Sequence, residues 1–272
     1  MPDQEIVNHY KKYFRMVVAN TNQLRYQEYS LRYQVYCEEF GFEKIEDFPT
    51  HIETDQCDDY AKHCVLIHKP SNRIIGCLRL IIKAVDKDKF LLPIESYCNT
   101  INPEKFDFSK LRGKRLGEFS RLAVIADFRR RRLDRHTPDG FYSHKAYLQN
   151  AYVIMGQNKR SYYPIIPISL ALAGLVMGLE SELDHSLAIM EPRLAVLLSR
   201  HNIYSERIGG LMDFHGQRAP YELLPLITLF QLNEERKALA QAIAYDLGSS
   251  FAESMDSALA KMDDFQLHRH EA

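Results

Sequence analysis

The residues best suited to chemistry lie in three short stretches. ETDQCDD (53–59) carries Glu53, Asp55, Asp58 and Asp59; GCLRLII (76–82) sets Arg79 inside an apolar run; RLGEFSRLAVIA (115–126) places Glu118, Ser120 and Arg121 just before the apolar run Leu122–Ala126. Carboxylates can move protons, and guanidiniums can hold anions. A charge embedded in a strand is not buried alone, because unpaired burial costs several kcal/mol or more. Arg79 therefore needs a carboxylate, and Asp55, Asp58 and Glu118 are the candidates. Read as a calcium loop, 53–59 lacks the mid-loop glycine and closing glutamate of that pattern. A solvated acidic loop is the ordinary alternative.

Glu118 and Arg121 are three residues apart, which in a regular strand puts them on opposite faces. A one-residue bulge near Ser120 would bring them to one face, and bulges are common beside active sites. The alternative is a solvated ion pair at a strand end.

The elements that must hold these residues follow from the patterning. Tyr13–Ala19 reads as a strand. Thr21 or Asn22 caps a helix whose buried stripe is Leu24, Leu31 and Val35, with Arg32 and Tyr36 on a shared face and a stop near Gly41. His63–His68 and Ile74–Lys83 are strands joined by the turn PSNR, and Leu92–Cys98 is a short helix or turn. Helices are expected over 140–158, 167–179 and 191–201, with strands over 186–190 and 204–214 and an extended segment over 221–230. One or two amphipathic helices broken near Gly248 follow. The order implies an α/β fold with a mixed sheet, as a domain over 10–230 and a C-terminal helical extension over 231–272.

Composition narrows the class. Of 272 residues 46% are apolar and 26% charged, as in ordinary globular proteins. The net charge of -1 argues against general nucleic-acid binding. Five cysteines without C-x-x-C spacing suit reduced thiols and a cytoplasmic setting. No signal peptide or transmembrane segment is expected, because the most apolar run, 165–179, falls short of the roughly 20 residues a spanning helix needs. The histidines show no metal-ligand spacing, so no metal site is expected.

LRYQVYCEEFGFE (31–43), ETDQCD (53–58), IIGCLRLI (74–81) and GEFSRLAV (117–124) together resemble, in order and spacing, the acyl-homoserine-lactone (autoinducer) synthases and their relatives in the GNAT acyltransferase superfamily. The resemblance is strongest to the PEP-CTERM/exosortase system-associated acyltransferases, a group related to N-acyl amino acid synthases, and it covers about residues 10–225. It implies a GNAT-like, mostly antiparallel sheet flanked by helices. It also implies a charged cluster of Arg32, Asp55, Asp58, Arg79, Glu118 and Arg121 beside an acyl site. Two departures stand out. Phe42 replaces the family's tryptophan, which would alter the acceptor pocket. Arg129, Arg130, Arg131 and Arg132 replace the glycine-rich loop that cradles a pyrophosphate. Arginines suit a single phosphate or an acidic protein surface, which favours acyl carrier protein over CoA as donor.

The implied reaction is aminolysis of an acyl-phosphopantetheine thioester by a small-molecule amine, with no permanently bound cofactor. Glu118 or Glu53 would act as base, backbone N–H groups around Leu122–Val124 would hold the oxyanion, and Arg121 or Arg79 would bind an acceptor carboxylate. A covalent route through Cys77 or Cys37 is the less economical alternative. The cluster also has a purely structural reading, in which ion pairs fix the first helix and its loop to the sheet. Two other functions stay open: a lactone synthase using S-adenosylmethionine, and a non-catalytic GNAT-like binding module.

Overall fold

The computed structural model describes residues 5–83, 90–129 and 165–270. Its centre is one eight-stranded sheet, antiparallel except for a single parallel pair. β1 (Phe14–Val18), β2 (Ala61–His68), β3 (Arg73–Lys83) and β4 (Leu116–Val124) form an antiparallel half. β5 (His185–Met190) joins β4 in parallel, β8 (Gln217–Leu223) pairs with β5, and the short β6 (Ser205–Arg207) and β7 (Met212–Asp213) both pair with β8.

Side-chain alternation sorts chemistry from core. Leu78, Leu80 and Phe119 are buried on one face. Helix α4 (Ile165–Glu180) lies so close to them that a Cβ on Gly174 would sit 3.1 Å from Leu78 and 3.3 Å from Phe119. Arg79, Glu118 and Ser120 point to the opposite face. That face is covered by helix α2 (Asn22–Tyr33), the 53–60 loop and helix α3 (Pro93–Tyr97). Thr21 caps α2 by accepting the Leu24 N–H at 3.2 Å. Gln34–Glu39 then continue as a π-helical turn, a form frequent at functional sites, which ends before Gly41 at φ 62°.

The bulge expected near Ser120 is present. Arg79 pairs with Ser120 and Cys77 with Ala123, so β4 spends three residues where β3 spends two. Arg121 takes up the irregularity with a left-handed φ of 51°, a strained conformation for a long side chain.

Several expectations are corrected. Residues 5–13, not anticipated as ordered, form helix α1, and the first strand begins at Phe14 rather than Tyr13. The strand expected over 204–214 is split into β6 and β7. The extended segment expected over 221–230 breaks at Pro225, which opens helix α6 (Pro225–Gln231) and turns Leu229 into the core. Helix α5 (Pro192–Ser199) and the C-terminal pair, α7 (Glu234–Leu247) and α8 (Ser249–His270), sit where the pattern placed helices, the pair breaking at Gly248 (φ 132°). Helix α7 packs on β1, where Asp246 accepts from the Tyr10 hydroxyl at 2.8 Å and from the Met16 N–H at 3.1 Å. The helix expected over 140–158 lies outside the described residues.

Candidate active site

β4 and β5 pair only from Leu116–Phe119 to His185–Ala188. Beyond that register, β4 residues 120–124 pair with no strand on the β5 side among the described residues. A cavity of about 1100 Å³ opens beside them. On the α4 side its wall is apolar, with Pro167, Ala171, Leu175, Leu194, Leu198 and Ile203. On the α2 side it meets Tyr36, Glu53, Asp55, Arg79, Glu118 and Arg121. Leu122 and Val124 also line it, so the β4 edge expected to hold an oxyanion faces the cavity. The Leu122 carbonyl accepts from the Tyr36 hydroxyl at 3.3 Å.

Five of the six residues expected to cluster do so. Arg32, with no exposed surface, donates to Asp58 through both terminal nitrogens at 2.8 and 3.1 Å, and through Nε to Glu53 at 2.5 Å. Arg79 donates to Asp55 at 2.6 and 2.9 Å, to Asp58 at 2.7 Å and to the Ser120 hydroxyl at 2.9 Å. Arg121 donates to Glu53 at 2.8 and 3.1 Å and to Asp55 at 3.0 Å. Three arginines thus meet three carboxylates in geometries typical of charge-assisted bonds, with Glu28 a fourth carboxylate 3.9 Å from Arg32. Behind them Glu28 holds His63 at 2.7 Å. Burial disfavours the ionised form of Glu53, Asp55 and Asp58, but the adjacent guanidiniums outweigh it and hold all three carboxyls below their ordinary values. The spacing of the acids has a local reason: Asp55 and Asp58 cap the single turn between them reciprocally, through Cys57 N–H to Asp55 and Asp55 N–H to Asp58, both at 2.8 Å.

Glu118 is the exception and a correction: it does not pair with Arg79. Its side chain, 2% exposed, accepts the Ile94 N–H at 2.7 Å from the first turn of α3, and it makes no ion pair among the described residues. Burial pushes its pKa up from 4.5 to about 8, against smaller opposing effects of the Ile94 N–H and the Arg79 charge; Glu95 adds to the rise. A carboxyl poised near neutrality on a cavity wall is suited to exchanging protons. Glu53, by contrast, is locked as an anion between Arg32 and Arg121, which removes it as a base. Arg79 is engaged with Asp55, Asp58 and Ser120, and Arg121, 21% exposed, is engaged through Nε and one terminal nitrogen.

The cysteine route loses support, because burial pushes the thiol of Cys37 up to about 11 and that of Cys77 well above its ordinary value. Of the arginine run, Arg129 pairs with Glu39 and stacks on Phe40 with its guanidinium carbon 4.1 Å from the ring centre. Arg130, Arg131 and Arg132 lie outside the described residues. Among the described residues no group of three or more His, Cys, Asp or Glu could hold a metal ion, and no helix is long and apolar enough to cross a membrane.

Sequence reasoning named Phe42 for the acceptor pocket but missed the aromatic residues that surround it on the cavity wall. Phe40 and Phe42 stack at 4.9 Å, His215 lies 5.2 Å from Phe42, and Phe214 and Tyr97 face each other at 5.9 Å. The segment DFHGQR (213–218) has no periodicity to mark it. Its one signal is the pair His215–Gly216, both in left-handed conformation, which turns the chain between β7 and β8.

With this geometry in hand, comparison with known proteins is informative. Residues 31–138 match the model of the acetyltransferase (GNAT) domain. The match covers less than half of the chain, and the sheet that contains it has a GNAT-like fold. Among solved structures, the chain is similar to FeeM, an N-acyl amino acid synthase from uncultured soil microbes, at 15% identity and a TM-score of 0.50, over 80% of this chain and 94% of that one. It is also similar to TofI, solved in a ternary complex with an inhibitor and MTA, at 15% identity and a TM-score of 0.52, over 82% and 99%. A third is BjaI, a CoA-dependent acyl-homoserine lactone synthase solved with SAM and isopentyl-CoA, at 15% identity and a TM-score of 0.51, over 89% and 98%. These likenesses establish a shared fold. No curated protein matches the chain.

Proposed function

We propose that the protein transfers a fatty acyl group from a phosphopantetheine thioester to the amine of an amino acid or similar small molecule. The observation that carries this is Glu118: a buried carboxyl bonded to the Ile94 N–H and to no arginine among the described residues, on the wall of a cavity lined by both the charged cluster and apolar side chains; burial pushes its pKa up to about 8. The ionised form of Glu118, which grows as pH rises toward about 8, takes a proton from the ammonium of the acceptor, directly or through water. The free amine attacks the thioester carbonyl, and β4 N–H groups between Leu122 and Val124 stabilise the oxyanion. The C–N bond forms, the attacking nitrogen gives up a second proton, the C–S bond breaks and the thiolate takes that proton, while Glu118 passes the first to solvent and returns to its ionised form. The Arg32–Glu53–Asp58–Arg79–Asp55–Arg121 cluster holds α2 and the bulge in place and touches no reacting atom.

Acyl carrier protein is the donor this reading favours, because Arg130, Arg131 and Arg132 stand where CoA-using relatives of the resembled family carry glycines. Five unpaired cysteines suit a reducing, cytoplasmic setting. The association with PEP-CTERM/exosortase systems rests on the four sequence motifs. The direct test is to supply purified protein with long-chain acyl carrier protein and a panel of amines, and to follow thiol release and product mass. N-acyl products absent with Glu118→Gln support the reading. Acyl lactone and methylthioadenosine from S-adenosylmethionine would move it to lactone synthesis, and no thiol release with any amine would overturn it. Exchanging Arg130 and Arg131 for Glu tests the donor: affinity for acyl carrier protein is expected to fall, with a weaker salt dependence.

A further inference from the structure

The charges along the cavity are not all neutralised. Of its arginines, Arg79 is held by Asp55 and Asp58, Arg121 by Glu53 and Asp55, and Arg129 by Glu39. Arg218, at the start of β8, lines the same cavity but has no ion pair or hydrogen bond from its side chain among the described residues. Its Nε is buried without an acceptor. The guanidinium carbon lies 5.6 Å from the centre of the Phe42 ring, within cation–π range, which fixes the head group at the aromatic mouth. The nearest charged groups do not satisfy it. Glu43 lies beside His215 at 3.6 Å and makes no ion pair with Arg218 among the described residues.

We infer that Arg218 is the residue that binds the carboxylate of the acceptor, a role that the sequence pattern gave to Arg121 or Arg79. This rests on the N-acyl-transfer reading for the chemistry, but the binding claim stands apart from turnover. A partly enclosed guanidinium without a counter-anion has given up hydration for nothing until an anion arrives. A carboxylate matches its fork of donors in two parallel bonds. The same ligand's ammonium has Glu118 on the same cavity wall. Amino acids and S-adenosylmethionine share this zwitterionic head, and the experiment separates them.

The test uses the intact protein and three probes: phenylalanine, its decarboxylated counterpart phenethylamine, and S-adenosylmethionine. Equilibrium binding is measured by calorimetry for wild type, Arg218→Gln and Arg218→Lys, and turnover is followed with acyl carrier protein donors. Either carboxylate ligand is expected to bind wild type more tightly than phenethylamine by on the order of 10- to 100-fold. Arg218→Gln is expected to erase that margin with phenethylamine unchanged, and Arg218→Lys to restore part of it. In turnover the loss falls on KM for the carboxylate acceptor. Binding of phenylalanine alone names an amino acid; binding of S-adenosylmethionine names the sulfonium acceptor, and both support the assignment. A margin that survives Arg218→Gln, equal loss for all probes, or no carboxylate binding to wild type would overturn it. Carboxylate binding lost in the variant without any wild-type turnover would retain Arg218 as an anion site and sink the acyl-transfer reading instead.

Discussion

Asp58 and Glu118 are both buried carboxyls on one face of one sheet, and their surroundings drive them apart. Asp58 lies between two guanidiniums and stays ionised well below the usual carboxylate range. Glu118 has one backbone N–H and no counter-charge in contact, and is pushed up to about 8. Burial acts on both in the same direction, so the difference is made by the distance to an arginine. The contrast separates scaffold from chemistry: where charges cancel, the site is rigid and inert, and where one is left uncompensated, a proton can move.

The largest effect expected is on catalysis. Glu118→Gln keeps shape and removes the base, so turnover should drop about 10²- to 10⁴-fold in single-turnover assays, while the melting temperature holds or rises because a costly buried acid is gone. Parallel loss of folding and activity would erase the contrast. Next comes stability. Asp58→Asn leaves Arg32 and Arg79 under-neutralised and should cost about 3–5 kcal/mol in denaturant unfolding. A loss below about 1 kcal/mol would mean that the cluster is not the clamp.

The pH dependence sharpens the comparison further. Glu118 has a folded pKa above its ordinary 4.5, so its contribution to stability is present below about 4.5 and lost as pH rises through about 8. Glu53, Asp55 and Asp58 have lowered folded values, so theirs is present above their ordinary values and lost as pH falls through the folded ones. Melting curves should therefore decline on both limbs, the alkaline limb flattening in Glu118→Gln and the acid limb in Asp58→Asn. The smallest effect concerns the acyl end. Ala171→Phe narrows the apolar lining contributed by α4 and should shift donor preference toward shorter chains by roughly 10-fold, at about 0.8 kcal/mol per displaced methylene.

Much of this was legible in the chain itself. Arg79, a charge in an apolar strand, demanded acids, and Asp55 and Asp58 answer it. The three-residue spacing of Glu118 and Arg121 called for a bulge, and the register shift supplies one. The GNAT-like sheet followed from the motifs and the order of elements. What was not legible depended on contacts between distant segments. Glu118 was grouped with the cluster because sequence shows charge but not which face of a loop reaches it; α3 takes it with the Ile94 N–H instead. Proline at 225 was a helix-start signal that a run of apolar residues masked. His215 sits in the turn before β8 and Arg218 at the start of that strand, in a segment without periodicity, and only their approach to Phe42 across about 170 residues of chain gives them a role.

The central claim is that Glu118, alone among these carboxyls, is protonated near neutrality and ionises in the working range. The most direct measurement is a titration of the Glu118 carboxyl by ¹³C NMR on glutamate-labelled protein, assigned with Glu118→Gln. An inflection near 8 for the signal lost in the variant is the expected result. An inflection at or below the ordinary 4.5 would make Glu118 one more member of the ion-paired scaffold and leave the proposed reaction without its base.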